Sequence, residues 1–252
     1  GPGNLTLKLL AQAKKLTCVE FDRRMVREVA KRVENDPRKH RLEMVHGDVL
    51  KVALPYFDVC VANLPYNISS PFLFKLLAHR PHFRAAVIMF QEEFAQRLSA
   101  KPGDALYCRL SVNTQLLAKV TQLIKVGRNN FRPPPKVDSR VVKIEVRNPP
   151  PPVNFVEWDG LVKLCFNRKN KTLRSTFTNK KTLADLETSW KTFRALSMTD
   201  ADDAADAPDV KALVEAIMED PRFKDKRAAK MDLDDFLALL VAFNEKGLHF
   251  SS

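Results

Sequence analysis

Eight consecutive residues, Asn63-Leu64-Pro65-Tyr66-Asn67-Ile68-Ser69-Ser70, place an amide, a proline turn and an aromatic face at the end of an apolar run. The exocyclic nitrogen of adenine is a poor nucleophile, because its lone pair is delocalised into the ring. Two acceptors that hold its two hydrogens favour the geometry in which that pair is localised and aimed at an electrophilic methyl group. The Asn63 side-chain carbonyl and the Leu64 main-chain carbonyl suit that task, and Tyr66 offers a stacking face for the base at about 1–3 kcal/mol. The segment holds no His, Asp or Glu, so any rate enhancement would come from positioning and electrostatics rather than from a strong base. A proline turn with a packed tyrosine has the same four letters, and the tetrapeptide alone does not separate the two.

Two carboxylates stand at comparable places. Glu20 closes an apolar run at 16–21, where doubly wound nucleotide binders put an acid that accepts from both ribose hydroxyls. Asp48 follows Gly47 near the end of the run at 42–49. It could accept from an adenine amino group, with the next backbone N–H on a ring nitrogen, and it equally suits a turn or helix cap. Phe131 sits in a stiff proline-rich loop, Phe131-Arg132-Pro133-Pro134-Pro135-Lys136. It is a second candidate to flank the base, or an aromatic plug at a sheet corner.

The elements that must position these residues are legible from periodicity. Apolar runs at 16–21, 42–49, 57–64 and 85–90 alternate with helical patterns at 5–14, 23–35 and 71–79, with Ser70-Pro71 as N-cap and first-turn proline of the last. That alternation predicts a doubly wound parallel sheet, with ligands gathered at the strands' carboxyl ends. Helices over 92–100 and 105–117 and a strand pair over 119–126 and 141–146 follow. The four prolines at 149–152 mark a boundary, because they are stiff and cannot donate backbone hydrogen bonds. Beyond them the pattern is helical at 158–167, 173–177, 183–193, 210–218 and 233–243. The Asp- and Ala-rich stretch 199–209 reads as an exposed acidic loop, without the regular spacing of a metal site.

The chain of 252 residues carries a net charge of +12. Residues 1–151 hold 26 Lys+Arg against 13 Asp+Glu, whereas residues 152–252 hold 16 against 17. A basic field over the half with the candidate site suits a polyanion, and also simple solubility. No apolar run has the length of a membrane span, and no signal-peptide pattern opens the chain. Cytosol or nucleus is the default expectation. Cys18, Cys60, Cys108 and Cys165 lack paired spacing and read as reduced, packed thiols.

Four segments together resemble the ribosomal RNA adenine dimethyltransferase family. They are Asn63 through Pro71, Gln91-Glu92-Glu93-Phe94-Ala95-Gln96-Arg97-Leu98, Pro102-Gly103-Asp104 and Phe131 through Ser139. The similarity runs over essentially the whole chain. Asn148-Pro149-Pro150-Pro151-Pro152, Asn167-Arg168-Lys169-Asn170-Lys171-Thr172-Leu173 and Gly247-Leu248-His249-Phe250-Ser251 resemble its eukaryotic small-subunit branch. The resemblance implies an α/β class I methyltransferase with a Rossmann-like doubly wound sheet at 1–148 and a small all-helical rRNA-binding domain at 149–252. It implies S-adenosyl-L-methionine as cofactor and two neighbouring adenosines near the 3′ end of small-subunit rRNA as substrate, each converted to N6,N6-dimethyladenosine. By matched motif, Glu20 would hold the ribose, Asp48 and Val49 the cofactor adenine, Asn63 and Leu64 the target amine, and Tyr66 and Phe131 the target base.

Gly1, Gly3 and Asn4 would belong to the cofactor loop, with Asn63 also reaching the cofactor. Arg132, Lys136, Arg168, Lys169, Lys171 and Arg174 would meet rRNA phosphates; the acid-free segment 168–181 is also what a solvated helix face looks like. The implied partners are small-subunit rRNA and a pre-ribosomal particle, with no metal and no membrane, for a monomer in the nucleus and nucleolus. One departure stands out: the family loop reads Gly-Pro-Gly-Thr-Gly-Asn-Leu-Thr after a first strand, and here Gly1-Pro2-Gly3-Asn4-Leu5-Thr6 opens the chain. The expectation is that a strand and two loop residues are missing from an otherwise intact enzyme. Two other readings stand beside this one: a DNA adenine-N6 methyltransferase, and a ribosome assembly or quality-control factor acting mainly by binding RNA.

Overall fold

The computed structural model describes residues 1–197 and 209–251, in two compact units, Gly1–Asp58 with Pro65–Phe83 and Val59–Leu64 with Arg84–Ser252. In the first, helix α1 (Asn4–Leu10) precedes strand β1 (Leu16–Glu20), helix α2 (Arg23–Val33), strand β2 (Leu42–His46) and helix α3 (Ser69–Ala78). The Asp22 side chain starts α2 by accepting from the Arg24 N–H at 2.8 Å. β1 and β2 pair in parallel from Leu16↔Leu42 to Glu20↔His46. The apolar stripes of α2 and α3 supply most of the core: Val29, Val33, Phe72, Leu73, Leu76 and Leu77, with Leu10 and Phe83. α3 begins two residues earlier than its sequence signal. Tyr66–Ile68 winds into a 3-10 turn that runs straight into Ser69, so Ser70 is not the cap, while Pro71 stays in the first turn, where its missing N–H is harmless.

The second unit holds a four-stranded sheet in the order β3-β4-β6-β5, built from β3 (Val59–Asn63), β4 (Ala85–Gln91), β5 (Ala118–Val126) and β6 (Ser139–Val146). β3 and β4 are parallel, and β6 runs antiparallel to both β4 and β5. This sheet is therefore mixed, and β1–β2 is a separate two-stranded sheet rather than part of one parallel sheet: the parallel pattern holds within β1–β2 and β3–β4, and β5–β6 is the expected strand pair, with a bulge between Gln122 and Ile124. Helices α4 (Glu92–Ser99) and α5 (Arg109–Leu117) follow β4. α5 starts four residues later than its pattern suggested. Gly103 adopts φ 95°, Asp104 accepts from the Lys101 N–H at 2.7 Å, and the Gly103 N–H bonds the Ala229 carbonyl at 2.7 Å, which holds 101–107 as a loop.

After Pro149–Pro152 come α6 (Phe155–Asn167), α7 (Leu173–Phe177), α8 (Lys180–Ser197), α9 (Val210–Glu219) and α10 (Leu233–Asn244). Their core is aromatic: Trp158, Phe177, Phe223, Phe236 and Phe243 are fully buried, and Val112 and Leu116 of α5 belong to the same cluster. The Trp158 indole N–H donates to the buried Asn113 side chain at 3.0 Å, so its polar end is satisfied. The acidic stretch 199–209 lies outside the described residues except for Asp209, which caps α9 by accepting from the Ala212 N–H. All four cysteines are free, and burial pushes the Cys60 thiol up to about 12 and Cys165 upward too. Among the described residues no helix is long and apolar enough to cross a membrane, and no group of three or more His, Cys, Asp or Glu could hold a metal.

Candidate active site

In the first unit the parallel ladder brings two of the proposed ligand-holding residues together. Glu20 is the last residue of β1, its register partner is His46, and the Gly47 N–H donates to the Glu20 carbonyl at 3.1 Å. Glu20 and the turn that carries Asp48 and Val49 are thus neighbouring strand ends. The Glu20 carboxylate accepts from the Asp22 N–H at 2.9 Å. A carboxylate held in this way can accept from hydroxyl groups.

Asp48 has the turn role its sequence also allowed. Its carboxylate accepts from the Leu50 N–H at 2.9 Å, and its carbonyl accepts from Lys51 and Val52, both at 2.9 Å. Gly47 is obligatory for this tight geometry, since a Cβ there would lie 2.6 Å from a Val52 methyl. Gly3 caps α1 in the left-handed region at φ 97°, and the Asn4 side chain accepts from the Arg32 guanidinium. Tyr66 opens the 3-10 turn before α3 and is half-buried.

Sequence reasoning passed over Phe21. It follows Glu20 directly and is 75% exposed, and its carbonyl is 3.1 Å from the His46 ring Nε2. An aromatic face that open, next to the carboxylate, is a stacking surface for an adenine ring. The available signal was an aromatic residue placed just past a strand end.

In the second unit, Asn63 is the last residue of β3 and pairs with Met89 two residues before β4 ends, leaving its side chain exposed and Leu64 just beyond. The carboxyl ends of β3, β4 and β5 lie at one end of the sheet, where β6 begins at Ser139 opposite Gln91 and Val126. The Phe131 loop springs from that same end, so the sheet carries Asn63, Leu64 and Phe131 on one side. Asp138 anchors the loop: its carboxylate accepts from the Arg128 N–H at 3.0 Å and pairs with Lys125 at 3.2 Å, while its carbonyl accepts from the Glu92 N–H at 3.0 Å. The backbone bond from Arg128, ahead of the Lys125 contact, holds the Asp138 carboxyl below its usual range. Phe131 is half-buried on this frame, with Arg132 and Lys136 exposed beside it.

The basic residues of 168–181 divide. Arg168 and Lys171 are exposed, the Lys171 N–H bonding back to the Arg168 carbonyl at 2.8 Å. Lys169 spends its ammonium inside the protein, on the carbonyls of Ala105 at 3.0 Å and Tyr107 at 2.9 Å. Arg174 pairs with Glu219, a carboxylate shared with Lys224 at 3.3 Å.

Comparison with known proteins identifies the family. The ribosomal RNA adenine dimethylase family matches residues 1–208. A probable dimethyladenosine transferase of Dictyostelium discoideum is 59% identical over 250 residues, covering 99% of this chain and 79% of that protein. A ribosomal RNA small subunit methyltransferase of Arabidopsis thaliana is 48% identical, over 100% of this chain and 82% of its own length. The crystal structure of a dimethyladenosine transferase from Plasmodium falciparum superposes with a TM-score of 0.91 at 44% identity, covering 99% of this chain and 89% of that one. On its sequence and its fold alike, this chain belongs to the ribosomal RNA adenine dimethylase family.

Proposed function

We propose that the protein methylates the N6 nitrogen of two adjacent adenosines near the 3′ end of small-subunit rRNA to N6,N6-dimethyladenosine, with S-adenosylmethionine as donor. The observation that carries this is Asn63-Leu64-Pro65-Tyr66 at the carboxyl end of β3, in a chain of this family. The donor supplies an electrophilic methyl on a sulfonium. The residues present fit such a group: a carboxylate at the end of β1, an open aromatic face beside it, and a turn at 47–52 where a Cβ at Gly47 would crowd Val52. Glu20 would hold the ribose, Asp48 and Val49 the adenine edge, and Phe21 its face. The Asn63 side-chain carbonyl and Leu64 main-chain carbonyl would accept the two amino hydrogens, and Tyr66 and Phe131 would each offer the base an aromatic face. Nothing in 63–70 abstracts a proton, so the chain's contribution to the rate is geometric and electrostatic. Arg132, Lys136, Arg168 and Lys171 are the phosphate-facing cations in this reading, which puts the work on pre-ribosomal particles in the nucleolus.

The test is methyl transfer from labelled donor to small ribosomal subunits lacking the modification, to free RNA and to duplex DNA. Label in paired adenosines near the 3′ end of the small-subunit rRNA is the expected result. Preference for duplex DNA, or no label in rRNA, would overturn it.

A further inference from the structure

α3 is fixed by its apolar face, yet one side chain off that face reaches back to the turn after β2. The Lys75 ammonium donates to the carbonyl of Leu50 at 2.9 Å and to that of Val52 at 2.6 Å. Both acceptors belong to the turn at 47–52, where the Leu50 N–H bonds the Asp48 carboxylate and the Lys51 and Val52 N–H groups bond the Asp48 carbonyl. Lys75 therefore closes the turn's hydrogen bonding from outside, through two charge-assisted bonds. α3 grows directly out of the 3-10 turn that Tyr66 opens. The piece that would carry the target base and the piece that would carry the donor's adenine are joined through one half-buried cation.

We propose that Lys75 is a positioning residue that locks the 47–52 turn to α3, so that occupancy of the donor site and of the target-base site are energetically linked. The linkage rests on the donor assignment made above; the lock itself does not. A lysine suits the role because its stem spans from a helix held by apolar packing to two carbonyls that point the same way. The lock makes the turn's geometry part of the unit's rigid core, where a displacement of about 1 Å at a reacting group costs about 10²-fold in rate. Linkage is reciprocal: whatever stiffens the turn for the donor also favours the base-binding arrangement of Tyr66.

The experiment compares the whole polypeptide with Lys75→Met, which keeps length and removes the donors, and with Lys75→Arg, which keeps the cation. Hydrogen exchange in the absence of any cofactor should show faster exchange at the 50–52 amides in Lys75→Met, with α2 and the C-terminal helices unchanged. S-adenosylhomocysteine affinity by calorimetry should weaken about tenfold in that variant, as expected for losing one or two bonds to a charged donor, and recover in part in Lys75→Arg. The donor KM should rise more than kcat at saturating donor falls, a split that a general loss of stability would not produce. If Lys75→Met does not fold, Lys75→Gln, with one amide donor, takes its place with an intermediate effect expected. Unchanged exchange at 50–52 together with affinity within about twofold of the parent overturns the proposal. Should the parent itself fail to bind S-adenosylhomocysteine, the donor assignment falls, and the exchange result alone then decides the lock.

Discussion

The half of the chain that ends in carboxylates and the half that ends in helices are built on opposite principles. In the first unit no residue of β1 or β2 is fully buried, and Phe21 and Tyr56 stand open at 75% and 63%. In the C-terminal helices the large aromatics are sealed, and even the Trp158 N–H has an internal partner. Parallel strands are usually covered on both faces. Within the first unit, order therefore rests more on the apolar faces of α2 and α3 than on the strands. The helical part rests on its sealed aromatics, so the two halves should answer very differently to mutation.

Trp158→Ala should cause the largest loss of stability, about 3–5 kcal/mol from the cavity and the lost contacts, with the buried Asn113 acceptor stranded as well. Urea unfolding measures it, and a cost below about 1 kcal/mol would mean that the helical core is not where stability resides. Asn63→Ala tests a strand end of the second unit's sheet, away from that helical core. Transfer should fall by about 10²–10³, while the unfolding midpoint and binding to ribosomal particles stay near the parent's, because the side chain is exposed at a strand end. Loss of folding rather than of transfer would erase the contrast between the halves. Ribosome maturation that survives this variant but fails without the protein would favour the assembly-factor reading.

How much of this was legible in the sequence follows the same divide. Some strand ends and motifs, being local, were read within a residue: β1 ends on Glu20, β3 on Asn63, and α7 at 173–177 is as its periodicity suggested, whereas β2 stops at His46, three residues before 49, because Gly47 and Asp48 open a turn. What the sequence hid were partners distant along the chain. Lys169 reads as one more phosphate-facing cation, yet its acceptors lie 62 and 64 residues away, in a loop whose own pattern looked helical. Lys75 carried no signal of its own, and its carbonyl acceptors are 23 and 25 residues upstream. Ser70 carried a cap signal, but the 3-10 turn before it had already set the helix going at Ser69. Composition and periodicity describe how a residue meets solvent or core; they say nothing of which carbonyl a lysine finds.

Gly47→Ala should have an intermediate effect. The added methyl would meet a Val52 methyl at 2.6 Å, so the turn must open, at about 1–3 kcal/mol for an overpacked site. The distortion falls on Asp48 and Val49, so donor affinity should drop more than tenfold, while the helical core keeps its exchange protection. Calorimetry with S-adenosylhomocysteine reads the first and hydrogen exchange the second. Equal loosening of both halves would show that they are not separable in the way their packing suggests.

The smallest effect expected is a pH dependence in the sheet end that holds the Phe131 loop. Glu92 accepts from the Arg140 guanidinium at 2.8 and 3.0 Å and from the Gln96 amide at 2.8 Å, and the Arg140 guanidinium, against some desolvation, keeps its carboxyl below the usual range. A depressed folded pKa means that the unfolded chain takes up the proton first. The stabilisation is therefore complete above the ordinary carboxylate value near ~4.3 and is lost as pH falls through the lower folded value. Glu92→Gln should cost about 1 kcal/mol at neutral pH, since the pair is only partly shielded from water, and its gap from the parent should close as pH falls below ~4. Urea midpoints of parent and variant across that range decide the matter. A gap that persists in acid would mean that Glu92 acts through packing alone, and that the Phe131 loop is held by Asp138 without help from the Arg140 ion pair.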